Sequence, residues 1–229
     1  MEEDKINILN QEDVFLLKDV SLKTIERVPS GLICFDFILG GGIVKNTITI
    51  IGGRYGMGKS TLCSIIADSF SKNKVKTLYV SGEEDLSQFA IRAQRLGIQS
   101  CDNLLLTTET SIKELIKIVG DRMPGVLIID SLQMLRSEDG TSDSKIMDEL
   151  IDLKKKLNVS IIATTHENKG KQISGSSHIP HMADLVLQFR EVDNEREIKI
   201  LKNRFGEIKH SWRFYLDKTG LKDLGLWKL

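Results

Sequence analysis

The sequence predicts a three-layer α/β sandwich with a mostly parallel sheet and a C-terminal antiparallel extension. Between residues 47 and 164, short and continuously apolar runs alternate with amphipathic stretches, and Val126–Asp130 (VLIID) is the clearest apolar run. Apolar strands separated by helices are typical of a parallel sheet that is covered on both faces. After His166, three β-like runs follow one another without a helix between them, which indicates antiparallel strands at the sheet edge.

The individual elements follow in a regular order along the chain. Each predicted strand is a short apolar run, and each predicted helix has apolar residues three or four positions apart. The predicted strands of the parallel part are 47–52, 76–81, 103–107, 126–130 and 159–164. The predicted helices are 59–72, 86–96, 112–119 and 146–157. The predicted strands of the extension are 184–190, 196–202 and 209–216.

Length and composition favour one folded domain preceded by an arm. A chain of 229 residues buries one good core, and a single α/β domain is the better expectation. Residues 1–28 are charged with scattered apolar positions, so we expect an N-terminal arm that is available to contact a neighbouring subunit. Residues 29–229 then form the domain.

Composition also bears on the class of protein. There are 32 basic residues (Lys and Arg) and 32 acidic residues (Asp and Glu). This balance neither indicates nor excludes binding to nucleic acid. Three dispersed cysteines without a C-x-x-C spacing argue against a disulfide framework or a structural zinc site. No apolar run reaches the ~18 residues of a membrane span, and the acidic N-terminus does not resemble a signal peptide. We therefore expect a cytoplasmic protein without a membrane partner.

The loop that follows the first predicted strand of the sheet fits the pattern G-x-x-x-x-G-K-[ST] and opens a predicted helix, which is the context of a phosphate-binding P-loop. Its glycines let backbone N–H groups converge on phosphate oxygens, and the helix N-terminus adds positive charge. Lys59 would reach the β- and γ-phosphates, and the Ser60 hydroxyl would bind Mg²⁺. The candidate nucleotide-binding residues are Gly53, Arg54, Tyr55, Gly56, Met57, Gly58, Lys59, Ser60 and Thr61. The sequence thus predicts ATP and Mg²⁺ as cofactors.

Carboxylates end two of the other predicted strands. Asp130 closes VLIID, where it could hold the hydration shell of Mg²⁺ opposite Ser60. Glu83 and Glu84 follow the strand 76–81, at the edge where ligands collect in open α/β folds. A carboxylate there can orient and deprotonate the attacking water. We favour Glu83 as the base with Glu84 assisting, the alternative being a solvated acidic loop in which Asp85 caps the next helix.

Further motifs resemble one bacterial family of ATPases. The stretch from Ser30 to Ile43 resembles the entry of the RecA/KaiC superfamily. YVSGEE at 79–84 and DSLQ at 130–133 are closer to its RadA/Sms branch, and KNRFG at 202–206 is identical to the five-residue signature of that branch. The resemblance extends from about residue 27 to about residue 216. It implies a RecA-like fold and ATP hydrolysis.

The resemblance also implies roles for three more residues. Lys202 and Arg204 would reach the γ-phosphate of a neighbouring subunit, where a cation delivered in trans stabilises the charge of the transition state. This implies a homo-oligomer, which would be a ring, expected to be a hexamer, or a filament. The alternative is that Lys202 and Arg204 are solvated charges at the end of a strand. His166 resembles a γ-phosphate sensor that relays the nucleotide state to the loop 169–180. The alternative for His166 is a structural histidine.

The sequence departs from the RadA/Sms pattern in two respects. That family usually carries an N-terminal four-cysteine zinc module and a C-terminal Lon-protease-like domain, and we expect a stand-alone core without either. In the loop expected to face DNA, Ser176 and Ser177 replace a Pro-Arg pair, which removes one cation.

Three functions are compatible with these motifs. The first is a DNA-dependent ATPase or translocase in recombination, repair or replication, which would bind single-stranded DNA through loops 135–143 and 169–180. Such a protein could also have a protein partner in recombination or replication. The second is a KaiC-like regulatory ATPase whose nucleotide state gates binding to a protein. The third is a nucleotide-stabilised scaffold, against which the retained Glu83, Asp130 and Arg204 argue. Stimulation of hydrolysis by DNA separates the first from the second.

Overall fold

The computed structural model describes residues 25–98, 102–138, 142–167, 178–217 and 219–228. Most of the expected N-terminal arm, most of the loop 169–180 and part of the loop 135–143 lie outside these ranges. The end of the arm is described, because Arg27–Val28 pairs with Ile43–Val44 in a small antiparallel sheet. The domain boundary at residue 28 stays a prediction.

The described part of the chain contains eleven strands and six α-helices, with a 3₁₀-helix at Leu132–Met134. The strands are β1 Arg27–Val28, β2 Ile43–Val44, β3 Ile48–Gly53, β4 Thr77–Ser81, β5 Leu104–Thr107, β6 Val126–Asp130, β7 Ser160–His166, β8 Leu185–Val192, β9 Glu195–Asn203, β10 His210–Asp217 and β11 Gly220–Lys228. The helices are α1 Ile33–Ile38, α2 Lys59–Lys72, α3 Leu86–Arg95, α4 Ile112–Arg122, α5 Asp143–Leu157 and α6 His178–Met182. None of these described helices has the length and apolar character that crossing a bilayer requires.

Nine strands form one sheet in the order β11-β10-β9-β8-β3-β7-β6-β4-β5. Within the run of six strands from β8 to β5, adjacent strands are parallel to each other. Strands β9, β10 and β11 are each antiparallel to the strand before them. This topology confirms the predicted parallel sheet with an antiparallel C-terminal extension. The carboxyl ends of β3, β4, β6 and β7 therefore meet at one edge of the sheet.

The extension differs from the prediction in two details. Strand β8 is antiparallel to β9 but parallel to β3, so it belongs to both parts of the sheet. Strand β11 was not predicted. Its pairing with β10 shifts register between Arg213 and Phe214, which leaves Leu224 as an extra residue opposite them. Such a bulge interrupts the alternation of inward and outward side chains on which a strand prediction depends.

Helices cover both faces of the sheet. On one face, Phe70 of α2 and Phe89 of α3 pack in a buried cluster with Ile51 of β3. On the other face, Leu115 of α4 belongs to a second cluster that contains Ile50 of β3. Adjacent residues of one strand thus face opposite layers, as a sheet buried on both sides requires. With both faces covered, ligands reach the sheet at the edge formed by its loops.

Candidate functional site

The P-loop joins the end of β3 to the start of α2. Gly58 caps the helix with φ of +97°, a conformation that glycine adopts without steric cost. Space is restricted as well. A Cβ on Gly58 would lie 2.5 Å from Leu216 Cδ2, and a Cβ on Gly53 would lie 2.5 Å from the carbonyl oxygen of Phe189. Close packing of the extension therefore adds to the reasons why these two positions need glycine.

Lys59 is the most buried cation of the loop, with 5% of its surface exposed. Its Nζ donates to the carbonyl oxygens of Gly53 and Arg54, both at 2.8 Å. Burial lowers the pKa of Lys59, and the negative charges of Asp130 and Glu83 act in the opposite direction. The ammonium is thus held among acceptors inside the loop.

His166, at the end of β7, lies between Lys59 and Glu83. Its Nδ1 is 3.1 Å from Lys59 Nζ, and its Nε2 is 3.1 Å from Glu83 Oε1. Because an ammonium only donates, we assign Nδ1 as the acceptor and place the ring proton on Nε2, from which it is donated to Glu83. The Tyr55 ring stacks on the imidazole with centroids 3.5 Å apart. His166 therefore connects the P-loop lysine to the candidate base.

Glu83 follows β4 and accepts a second hydrogen bond at Oε1, from Ser131 Oγ at 2.6 Å. Burial raises the pKa of Glu83, but the hydrogen bonds from Ser131 and His166 outweigh burial and hold the pKa below its ordinary value. The side chain is still 38% exposed, so water can reach the carboxylate. Glu83 is thus an ionised acceptor at the open edge of the site.

Asp130 ends β6 and is buried. Its Oδ2 accepts a hydrogen bond from Tyr79 Oη at 2.8 Å, and its Oδ1 accepts one from Thr164 Oγ1 at 2.7 Å. The peptide bond between Asp130 and Ser131 is cis. A carboxylate has about four acceptor positions, so two donors orient it and leave capacity for the waters of a metal ion. With the Ser60 hydroxyl in the first turn of α2, these oxygen groups fit the chemistry that Mg²⁺ prefers.

Glu84 has a different environment from Glu83. Its Oε2 forms an ion pair with Nη1 of Arg92, a buried residue of α3. The role of Glu84 as an assistant to Glu83 stays a prediction, although the Glu84 carboxylate is already paired with Arg92. The predicted cap is confirmed: Asp85 accepts a hydrogen bond from the backbone N–H of Gln88 at 2.8 Å at the start of α3.

Lys202 and Arg204 lie at the end of β9 and bind their own chain. Lys202 Nζ donates to three backbone carbonyls within the segment 180–183, at distances between 2.8 and 3.0 Å. Arg204 Nη1 forms an ion pair with Asp184 at 2.8 Å, and the arginine side chain is 49% exposed. None of these contacts joins the two residues to the cluster around Lys59. Their role across a subunit interface stays a prediction.

Sequence reasoning missed several residues that support the site. They are Tyr79, Arg92, Ser131, Thr164 and Arg196. For Ser131 and Thr164 a signal was available, because each is a hydroxyl residue at or near the carboxyl end of a buried strand. For Arg92 the signal was its spacing of three from Phe89, which places a charge on the apolar face of a helix. Nothing in the local pattern distinguishes Arg196.

Arg196 connects the extension to the P-loop. Its Nε donates to the carbonyl oxygen of Met57 at 3.2 Å. In a trans peptide the C=O of Met57 and the N–H of Gly58 point in opposite directions. Arg196, which holds the carbonyl toward β9, therefore turns the Gly58 N–H to the opposite side of the loop.

We expect Arg196→Met to weaken nucleotide binding about tenfold, the scale of one charge-assisted hydrogen bond. The measurement is titration with a fluorescent ATP analogue. Arg213→Met is the matched control, because Arg213 lies in the same extension and pairs with Glu195 and Glu197. Equal affinities for the two variants would show that Arg196 does not set the loop conformation.

Comparison with known families adds to this geometry. The family model described as AAA domain matches residues 22–172, which is more than half of the chain. The chain belongs to this family. The matched range of the AAA domain contains the P-loop, Glu83, Asp130 and His166, whereas the strands from β8 to β11 lie beyond it.

Individual relatives extend the likeness over the C-terminal strands. The AAA domain chain is 35% identical to the DNA repair protein RadA of Campylobacter jejuni, over 94% of this chain and 51% of that protein. It is 34% identical to the DNA repair protein RadA of Escherichia coli, over 91% of this chain and 47% of that protein. The chain thus spans about half the length of the curated relatives it matches. The resemblance to RadA that the motifs predicted is confirmed at this level.

Two solved structures show the same fold. One is the flagellar accessory protein FlaH of Methanocaldococcus jannaschii, with a TM-score of 0.70, 21% identity, and coverage of 86% of this chain and 99% of that chain. The other is the ATPase domain of G40P, with a TM-score of 0.72, 18% identity, and coverage of 88% and 92%. The predicted RecA-like class of α/β fold is confirmed.

Proposed function

We propose that this AAA domain is a P-loop ATPase that hydrolyses ATP with Mg²⁺ and acts on DNA in repair or recombination. The observation that carries the proposal is the connected series Lys59–His166–Glu83 beside the oriented carboxylate of Asp130. This series links the group that binds phosphate to the group that orients water. Support for the process comes from relatives that are named DNA repair protein RadA.

Nucleotide binding begins with Lys59 in this proposal. Its three donors now go to two loop carbonyls and to Nδ1 of His166. Ionised phosphate oxygens are stronger acceptors than either carbonyls or imidazole, so Lys59 exchanges these partners for the β- and γ-phosphates. The N-terminus of α2 adds its partial positive charge at the same place.

Ser60 and Asp130 are the residues that would hold the magnesium ion. When bound, the ion would supply positive charge against the negative charge that develops on the phosphoryl group. Ser60 would offer its hydroxyl to the ion, and Asp130 would accept hydrogen bonds from water around it. Tyr79 and Thr164 keep the Asp130 carboxylate in one orientation, so its reorganisation costs little when the ion binds.

Glu83 positions the water that attacks the γ-phosphate. Since its pKa lies below the ordinary value, Glu83 is ionised at neutral pH and accepts a hydrogen bond from that water. A carboxylate with a low pKa is a weak proton acceptor, so orientation is its larger contribution. When Lys59 turns to phosphate, Nδ1 of His166 loses its donor, and this change makes His166 suitable as the sensor of the γ-phosphate.

The oligomer and the DNA complex also belong to the proposal. Arg204 binds Asp184 of its own chain and is 49% exposed. In the proposal this cation completes the site of a neighbouring subunit in a ring or filament. A DNA-dependent ATPase is favoured over the KaiC-like regulator, because the relatives quoted above are named for DNA repair. The cytoplasm is the compartment of the proposal, because the quoted relatives are DNA repair proteins of bacteria, in which DNA lies in the cytoplasm.

DNA dependence is tested by measuring ATP turnover with and without single-stranded DNA, together with the mass of the protein in the presence of nucleotide. We expect turnover to rise severalfold with DNA and the stimulation to fall as salt increases, because contacts with phosphates release counterions. Heparin serves as a control polyanion. Unchanged turnover with DNA, in a protein that binds and hydrolyses ATP, would favour the regulatory alternative.

A further inference from the structure

Arg92 is a buried cation that none of the steps above uses. It lies on the inner face of α3, where 8% of its side chain is exposed and its guanidinium stands 5.0 Å from the centroid of the Phe89 ring. A guanidinium presents five N–H donors and never loses its charge at physiological pH. Burial of such a group is costly unless its donors are bound. The groups that bind these donors therefore indicate the role of Arg92.

Three partners from three different elements bind this one side chain. Nη1 forms an ion pair with Glu84, in the loop after β4. Nε donates to Ser64 Oγ in α2 at 3.1 Å, and Nη2 lies 3.5 Å from the hydroxyl of Tyr79 in β4. Arg92 thus connects the loop of the candidate base, the helix of the P-loop and a central strand of the sheet.

Two of these partners also bind a residue that would hold magnesium: Ser64 binds Ser60, and Tyr79 binds Asp130. The Ser64 hydroxyl accepts from Arg92 and donates to the backbone oxygen of Ser60 at 2.8 Å. The Tyr79 hydroxyl accepts from Nη2 of Arg92 at 3.5 Å and donates to Asp130 Oδ2 at 2.8 Å. Each hydroxyl has one proton. Because Arg92 can only donate, that proton is available for the bond to Ser60 or to Asp130. The direction of both hydrogen bonds is therefore fixed.

We propose that Arg92 is a positioning residue for the magnesium site. Through Ser64 and Tyr79 it fixes Ser60 and Asp130 relative to each other. Through Glu84 it also fixes the loop that carries Glu83, the residue directly before Glu84. The inference rests on the proposed function, since Ser60 and Asp130 matter in this way only if a magnesium nucleotide binds between them.

The chemistry of magnesium explains why such a support is needed. Mg²⁺ requires nearly ideal octahedral geometry, so small displacements of its protein groups weaken binding. Outer residues that orient the ligands typically contribute 10- to 100-fold to metal affinity or activity. A planar guanidinium can hold three partners in fixed directions, whereas the ammonium of lysine cannot reproduce that fork. Replacement by lysine should therefore not restore the function of Arg92.

The test measures the Mg²⁺ concentration that gives half-maximal binding of a fluorescent, non-hydrolysable ATP analogue, together with kcat and KM for ATP. For Arg92→Met and Arg92→Lys we expect this concentration to rise about tenfold and kcat to fall about tenfold, with a smaller change in KM. Tyr79→Phe removes a single oxygen and should show a shift in the same direction. Arg95→Met is the control, because Arg95 is exposed on the same helix.

Each outcome decides the inference. If Arg92→Met and Tyr79→Phe require the same Mg²⁺ concentration as Arg95→Met, Arg92 does not position the magnesium site. If the parent chain binds the analogue with Mg²⁺ but does not hydrolyse ATP, the proposed ATPase function fails, and the Mg²⁺ titration still decides the role of Arg92. If Arg92→Met does not fold, Arg92→Lys decides. If the parent shows no Mg²⁺-dependent binding, both proposals are wrong.

Discussion

The variant Glu83→Gln is expected to bind ATP and Mg²⁺ as the parent does and to hydrolyse ATP at least ~100-fold more slowly, the usual scale for losing the carboxylate that acts on the attacking water. Glutamine keeps an oxygen that can accept the hydrogen bonds now made by Ser131 and His166. The local structure is therefore retained while the negative charge that orients water is lost. Single-turnover hydrolysis and nucleotide affinity are the measurements, and the variant should accumulate in its triphosphate-bound assembly.

Glu84→Gln is the matched control for this experiment. It neutralises the adjacent carboxylate, which is paired with Arg92 and not with His166. We expect a smaller loss of turnover than for Glu83→Gln. A larger loss for Glu84→Gln would mean that the two roles must be exchanged.

The same assignment determines the sign of the pH dependence. Glu83 acts in its ionised form, and its hydrogen bonds hold its pKa below the ordinary 4.5. Turnover should therefore remain on its plateau down to that ordinary value and decline only as pH falls through the lower pKa. An acid limb centred above pH 4.5, in a protein that is still folded there, would show that a different group titrates.

Much of the fold could be predicted because its central strands are buried on both faces. Strands β3, β6 and β7 consist entirely of buried residues, so they read as continuous apolar runs. Helix α2 spans 59–72 as predicted. Strands β1 and β2 are two residues long and have no period to detect. In β11 the bulge at Leu224 conceals the alternation.

The site could be predicted only as far as backbone position determines it. Residues at the carboxyl ends of parallel strands must meet, so Lys59, Glu83 and Asp130 were placed at one edge. The contact of Glu83 with His166 joins residues 83 positions apart and depends on side-chain rotamers. Glu84 directs its carboxylate to Arg92 although it is adjacent to Glu83. Neighbours in a loop can face different partners, which the sequence pattern does not reveal.

The largest expected effect concerns Arg204, because the proposed chemistry is divided between two subunits. Cations of this kind contribute about 10³–10⁵-fold to turnover in other NTPases. We expect specific activity to rise with protein concentration as rings or filaments form, and Arg204→Ala to lose turnover on that scale. Arg54, within the P-loop, is the alternative source of the cation, since it lines the cleft between the loop and β8.

A structural effect of Arg204→Ala must be separated from this loss. Asp184 is a buried carboxylate: burial raises its pKa, but hydrogen bonds from Lys154, the backbone N–H of Ile48 and Arg204 outweigh burial and hold the pKa below its ordinary value. Removal of one cation weakens this arrangement. Lys154→Met is the matched control, because Lys154 binds the same carboxylate at 2.7 Å and is almost buried. A trans role predicts lost turnover for Arg204→Ala and much less loss for Lys154→Met.

Mixing two inactive proteins provides the decisive measurement. Lys59→Ala lacks the contact with phosphate, and Arg204→Ala lacks the cation for its neighbour. Only a mixed interface joins an intact P-loop to an intact Arg204, so the mixture should recover part of the parental turnover, whereas neither protein alone should. If mixing restores nothing, activity per subunit is flat from nanomolar concentrations upward, and a monomer persists with bound ATP and Mg²⁺, then the cation is not delivered in trans. Arg54 would then be the residue to replace.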